Sequence, residues 1–133
     1  MNVIADTSGL LALLDGSSRD HPRVFPFYQG LIVPSTVLTE LDYLATKRLG
    51  ARPVREFYRG IERGQVTHMP LEATDLQRAF ELLDVYADAR IGLVDASIVA
   101  LAERLRLPRV LTLDRRHFAM FRLAGLGHLE LLP

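Results

Sequence analysis

Among the sixteen Asp and Glu residues of this chain, four have neighbours that a solvated acid does not need. Asp6 directly follows the apolar run Val3-Ile4-Ala5, and Asp114 follows Val110-Leu111-Thr112-Leu113. Taken singly, each reads as a turn residue or a helix N-cap. Asp95 is different. Its helical neighbours at i+3, i+4 and i+7 are Ile98, Val99 and Ala102, on the apolar face of a helix too hydrophobic to be exposed. Closeness to a helix start offers it dipole stabilisation. An unpaired buried carboxylate still carries a large cost or takes up a proton. Glu40 lies one turn into another helix, between Val37 and Leu44, at the border of the core stripe. Alone it reads equally as an exposed edge position. Asp42 falls on another face and reads as solvated.

Two acids at strand ends and two near helix starts can meet at one edge of a parallel sheet. Four clustered anions repel strongly at low dielectric and stay ionised together only where a cation neutralises them. Oxygen donors, with no Cys and no His at a matching spacing, suit Mg²⁺ or Mn²⁺ rather than zinc. Carboxylate-held ions of this kind serve phosphodiester hydrolysis, because they acidify water and stabilise charge on the attacking and leaving oxygens. The histidines add little. His21 and His128 read as surface residues and His68 as a structural residue in a strand, while His117, beside Arg115-Arg116, is a candidate phosphate contact. No Gly-rich phosphate loop and no GxSxG elbow is present.

Such acids need a scaffold that holds strand ends together. Short apolar runs predict strands at 3–5, 31–33, 66–69 and 110–112, with a last strand at 128–132. Asp6-Thr7-Ser8-Gly9 reads as a turn, followed by helix at 10–14. Pro22 and Pro26 frame a short helix ending at Gly30. A longer helix opens at Pro34-Ser35 and stops at Gly50. Pro53 restarts a helix near its first turn, with Val54, Phe57, Tyr58 and Ile61 inward. Residues 72–87 are amphipathic through Leu76, Ala79, Phe80, Leu83 and Tyr86, residues 95–105 are strongly apolar, and a short helix covers 115–121. Strands alternating with helices imply βαβ crossovers and a three-layer α/β/α fold with a mainly parallel sheet. Ligands in such sheets bind beyond the carboxyl ends of the strands, at a topological switch point.

At 133 residues, the chain reads as one domain, 1–133. Hydrophobic residues at 49% and charged ones at 24% place it among globular chains. No apolar run reaches the roughly 18 residues that span a bilayer, and the first stretch, with Asp6 inside it and no basic start, does not read as a signal peptide. The absence of cysteine excludes disulfides, thiolate zinc sites and cysteine nucleophiles. A cytoplasmic protein without membrane association is the expectation. Formal net charge is zero, but the bases cluster. Lys47, Arg48, Arg52, Arg55 and Arg59 form one group, and Arg104, Arg106, Arg109, Arg115, Arg116 and Arg122 another. Planar guanidinium groups suit phosphate, and a solvated arginine-rich surface is the plainer alternative.

These residues resemble the PIN-domain ribonucleases, and within them the VapC toxins of bacterial toxin–antitoxin pairs. The resemblance covers essentially the whole chain. It rests on Val3-Ile4-Ala5-Asp6-Thr7-Ser8, on Pro34-Ser35-Thr36-Val37-Leu38-Thr39-Glu40-Leu41, on 90–102 around Asp95, and on Leu111-Thr112-Leu113-Asp114-Arg115-Arg116-His117-Phe118. It implies that Asp6, Glu40, Asp95 and Asp114 form an acidic metal-binding quartet for Mg²⁺ or Mn²⁺. Ser8, Ser97 and Thr112 match positions where the family carries supporting hydroxyls. The implied activity is endoribonuclease cleavage of structured RNA, tRNA or rRNA, with Arg48, Arg52, Arg55, Arg115 and Arg116 holding the backbone. A homodimer and a VapB-type antitoxin are the implied partners.

Two other readings stay open. One is a phosphatase or phosphotransferase with Asp6 as nucleophile, although the place two residues on is Ser8, where such folds want a second Asp. The other is a non-catalytic domain that binds a cation and a partner. The helix with Leu10, Leu11 and Leu14, the Pro-rich turn, and the helix with Leu41, Leu44 and Leu49 are expected to leave an apolar groove for an antitoxin helix.

Overall fold

Strands β1 (Val3–Ala5) and β2 (Leu31–Pro34) are buried at every position because helices cover both faces of the sheet they share. The computed structural model describes residues 1–133. Five strands form the sheet, in the order β3-β2-β1-β4-β7, with β3 at Thr67–Met69, β4 at Arg109–Leu111 and β7 at Glu130–Leu132. Every pairing in it is parallel. The chain runs from β1 outward to β2 and β3, then crosses back to β4 on the other side of β1. The switch point therefore lies between β1 and β4. A small antiparallel pair, β5 (Arg122–Leu123) and β6 (Gly127–His128), stands apart from the sheet.

Seven α-helices provide the layers: α1 (Thr7–Leu14), α2 (His21–Val24), α3 (Ser35–Leu49), α4 (Ala51–Glu62), α5 (Ala73–Val85), α6 (Leu93–Leu105) and α7 (Arg115–Ala119). Helix α1 packs against α2, α3 and α4, while α5 packs along α6. The helix α6 is buried without interruption from Ala96 to Ala102, as a central layer element must be. No helix is long and apolar enough to cross a membrane.

Several boundaries differ from the sequence reading. Helix α1 starts at Thr7, so Thr7-Ser8-Gly9 is its first turn rather than a separate loop. Extended backbone at Asp6 lets the Asp6 carbonyl accept the Leu10 amide at 3.2 Å, and helix follows at once. The strand β4 ends at Leu111, one residue early, α7 stops at Ala119, and the last predicted strand divides into β6 and β7. On α5, Phe80 is 54% exposed and Leu82 is buried. The inner stripe is Asp75, Ala79 and Leu82, because Asp75 must reach Arg104 on α6, and this turns Phe80 outward. Arg104 Nε donates to both Asp75 oxygens, at 2.9 and 3.0 Å. Arg78 likewise grips Glu103. The second arginine cluster thus does not act as one surface: Arg104 is an internal tie between helices.

Gly9 shows how tightly α1 lies on the sheet. A Cβ there would stand 2.8 Å from the Leu111 carbonyl oxygen of β4. Backbone cannot yield as a side-chain tip does, so α1 would have to lift. Gly9→Ala is expected to cost about 1–3 kcal/mol, read as a lower midpoint in urea with an unchanged slope.

Candidate active site

The first acid is set by β1, whose last residue is followed by Asp6. The second is set by β4, which pairs with β1 and leads through Thr112 and Leu113 to Asp114. Asp6 is only 6% exposed. Its Oδ2 accepts hydrogen bonds from the hydroxyls of Ser8 and Thr112, both at 2.8 Å. Thr112 Oγ1 also accepts the Asp114 amide at 2.9 Å, and Ser8 Oγ accepts the Leu113 amide at 2.9 Å. These bonds join the ends of β1 and β4 across the switch point. The Asp6 carboxylate makes no capping bond to α1, so its buried place is not explained by a helix cap. Asp114 does cap α7, weakly, accepting the His117 amide at 3.5 Å, and its Oδ2 lies 2.9 Å from His117 Nδ1.

The other two acids come from helices. Glu40 stands on α3, five residues from its start, and Asp95 in the first turn of α6. Ser97 does not touch a carboxylate. Its hydroxyl donates to the Val94 carbonyl at 2.7 Å and lies 2.6 Å from Thr36 Oγ1. It pins α6 to α3 and so fixes the spacing between the elements that carry Asp95 and Glu40. Thr36 was not singled out by sequence reasoning. The available signal was its place four residues before Glu40, a polar side chain on the same inward face.

All four acids line one cavity of about 300 Å³, together with Thr7, Ser8 and Arg48 among others. As the side chains stand, no three of them converge into a closed ligand set. Burial raises the Asp6 carboxyl above the usual carboxylate range, against the pull of the Ser8 and Thr112 hydroxyls. Burial, then the charge of Asp6, pushes Asp95 up to about 6; His117 opposes this, while Asp114 and Glu40 add to it. Acids that hinder one another's ionisation, in a cavity of hard oxygen donors, are what a divalent cation relieves. Thr7 Oγ1, buried and without a partner, adds one more free oxygen to the cavity wall. The donor set fits Mg²⁺ or Mn²⁺.

The five candidate arginines separate. Arg48 shares the α3 face of Glu40 and Leu44, at i+4 steps, and lines the acid cavity. Arg55 lines a different hollow, with Asp42 and Tyr58. Arg52 and Arg116 are exposed. Arg115 donates to the carbonyls of Leu131 and Pro133, at 3.2 and 3.3 Å. His68 pairs with Ser35 at 2.6 Å. The expected apolar groove is present in part: Leu10 and Leu41 are wholly buried, whereas Leu11 and Leu49 line one cleft and Leu14 another, with Phe25, Pro53 and Phe57.

Comparison with known proteins agrees with this geometry. Residues 3–123 match the PIN domain family. Ribonuclease VapC26 of Mycobacterium tuberculosis is 36% identical over 135 residues, covering 98% of this chain and all of that protein. Among solved structures, M. tuberculosis VapC20, described as a Sarcin-Ricin loop cleaving toxin, aligns with a TM-score of 0.81 at 19% identity, covering 99% of this chain and 100% of that one. VapBC2 of Rickettsia felis, bound to a promoter DNA fragment, aligns at 0.72 and 16% identity over 100% of both chains. A toxin–antitoxin complex from Klebsiella pneumoniae aligns at 0.69 and 18%, covering 96% of this chain and 100% of that one. At such identities these structures bear on the fold, which is the same parallel sheet flanked by helices.

Proposed function

This chain belongs to the PIN-domain family, and from that we propose that it is a divalent-metal-dependent endoribonuclease of the VapC toxin type, a single domain over residues 1–133. The substrate is structured RNA, tRNA or rRNA. The protein works as a homodimer and is silenced by a cognate VapB-type antitoxin. One observation carries the reading: four acids from β1, α3, α6 and the end of β4 line one cavity at the switch point of a parallel sheet. The phosphotransferase alternative draws no support from Asp6, whose carboxylate is buried and held by two hydroxyls.

Asp6, Asp95 and Asp114 would hold Mg²⁺ or Mn²⁺, with Glu40 completing the site. When bound, the ion supplies Lewis-acid stabilisation of the phosphate and makes water a better nucleophile. The protein's own groups do the rest. Ser8 and Thr112 fix Asp6 through Oδ2. Glu40 orients the attacking water and takes its proton. His117 holds Asp114 in place. Arg48 meets backbone phosphate, which gives affinity rather than base choice.

The direct test expresses the protein with and without its antitoxin and maps new RNA ends across the transcriptome. Discrete cuts, present only without antitoxin and only with an intact quartet, are expected. Loss of bulk RNA without defined ends would defeat the reading.

The arginines give a paired prediction. Arg48→Ala should weaken RNA binding and lower the salt slope by about one, with the melting temperature held. Arg104→Ala should do the reverse. It leaves Asp75, 3% exposed, without its cation, at a cost of about 2–4 kcal/mol, and should not alter the salt slope.

A further inference from the structure

Beside the acid cavity lies a cleft of about 410 Å³, between α1, the last turn of α3 and the segment after β4. Half of its lining is apolar: Leu11, Ala12, Leu49, and Leu113 next to Asp114. Its polar end carries Asp15 and Ser18. Ser8, Leu11 and Arg48 line both hollows, so the two adjoin. Arg48 belongs to none of the seven ion pairs of the molecule, though acids line the cavity it borders. A guanidinium kept free at the junction suits the phosphate of a strand that passes from one hollow to the other.

The cleft has the size of a small-ligand pocket. Apolar walls with polar groups at one end are how proteins hold a base taken out of its stack. Asp15 is suited to read such a base. One carboxylate oxygen, Oδ1, accepts the Ser17 amide at 3.0 Å and the Ser17 hydroxyl at 2.6 Å, and Oδ2 remains open. Those bonds hold Asp15 below the usual carboxylate range, so it stays an acceptor.

Resting on the ribonuclease reading above, we propose that this cleft receives one unstacked nucleobase beside the scissile phosphate. Leu11, Leu49 and Leu113 enclose it, Arg48 holds the adjoining phosphate, and Asp15 accepts a hydrogen bond from the base edge. A carboxylate acceptor favours bases with an exocyclic amino group, namely guanine, adenine and cytosine, over uracil. A peptide segment could also fill an apolar cleft. The shared wall with the acid cavity and the free cation at the junction favour the RNA strand.

The test is cleavage of a stem-loop RNA library with a randomised loop, in Mg²⁺ and in Mn²⁺, with the cut ends sequenced. For the wild type, uracil should be depleted about tenfold at one position flanking the cut. Asp15→Asn, which keeps the Ser17 bonds and the fold, should erase that depletion. Leu49→Trp, which fills a half-exposed site, should flatten the same position and slow cutting. Phe80→Ser, on the far helix α5, should leave the pattern unchanged. A wild type that cuts without preference beside the cut overturns the pocket, as does a preference that both cleft variants preserve. Variants that keep the base pattern but escape the purified antitoxin would assign the cleft to a peptide instead. A wild type that cuts no member of the library in either metal overturns the ribonuclease reading, and the pocket with it.

Discussion

Asp95→Asn is expected to reduce RNA cleavage by a hundredfold or more while the protein stays folded and still binds RNA. The effect is electrostatic. Asn has the shape of Asp and serves a helix start as well, so a purely structural Asp95 would tolerate the change. As a cation ligand it would not. Removing one correctly placed charge from a reacting centre costs about 3 kcal/mol, roughly a hundredfold in rate. Packing around the residue, through Ala96, Ile98 and Val99, is untouched. Single-turnover cleavage and a filter-binding assay on the same RNA separate the two functions. Near-wild-type cutting with full metal dependence would remove Asp95 from the site, and the shared quartet with it.

The same substitution should stabilise the metal-free protein at neutral pH. In the folded state Asp95 titrates near 6, against an ordinary value of 3.8. The folded protein therefore holds this proton more tightly than the unfolded chain does. Stability is greatest while both states are protonated, falls as pH rises from about 4 to about 6, and is level above that. The loss amounts to up to about 3 kcal/mol, and Asp6, also raised, adds in the same sense. Asp95→Asn lacks this term, so its melting temperature should exceed the wild type's at pH 7.5 in EDTA and converge with it at pH 4. Millimolar Mg²⁺ or Mn²⁺ should raise the wild-type midpoint at pH 7.5 by binding the folded state, and raise it less near pH 5, where a proton competes. A wild-type midpoint indifferent to metal at both pH values would count against a shared cation site.

Much of this site was legible because its acids break the pattern of their surroundings. Asp95 betrays itself by Ile98, Val99 and Ala102, and the structure buries all three. Asp6 and Asp114 are marked by the apolar strands before them. Convergence of the four on one cavity followed from parallel topology, which the alternation of strands and helices discloses. What stayed hidden depends on contacts between distant segments. Ser97 reads like Ser8, a hydroxyl near an acid, yet it meets Thr36 because α3 happens to lie beside it. The inner face of α5 looked to include Phe80, since periodicity gives no weight to an acid. The Asp75–Arg104 pair then decides which way the helix turns. The same pair shows why counting arginines along the chain overstates the basic surface: none of the six in the second group lines the acid cavity, and Arg104 ties α6 to α5. Leu10 and Leu41 obey the helical stripe and vanish into the core, which leaves the groove to their flanking leucines.

The hydrogen bonds that sew β1 to the end of β4 also set a schedule for the protein's birth. Asp6 is held by Thr112, and Ser8 by the Leu113 amide, partners more than a hundred residues downstream. Strand β4 is itself flanked by β7, Glu130–Leu132, which is made later still. Until residues 112–114 are made, Asp6 has no Thr112 and the cavity lacks its fourth acid. A domain folds as a unit, so β1, β2 and β3 emerge before the sheet they share with β4 and β7 can be complete. The acid cavity can be completed only once residues 112–114 have been synthesised.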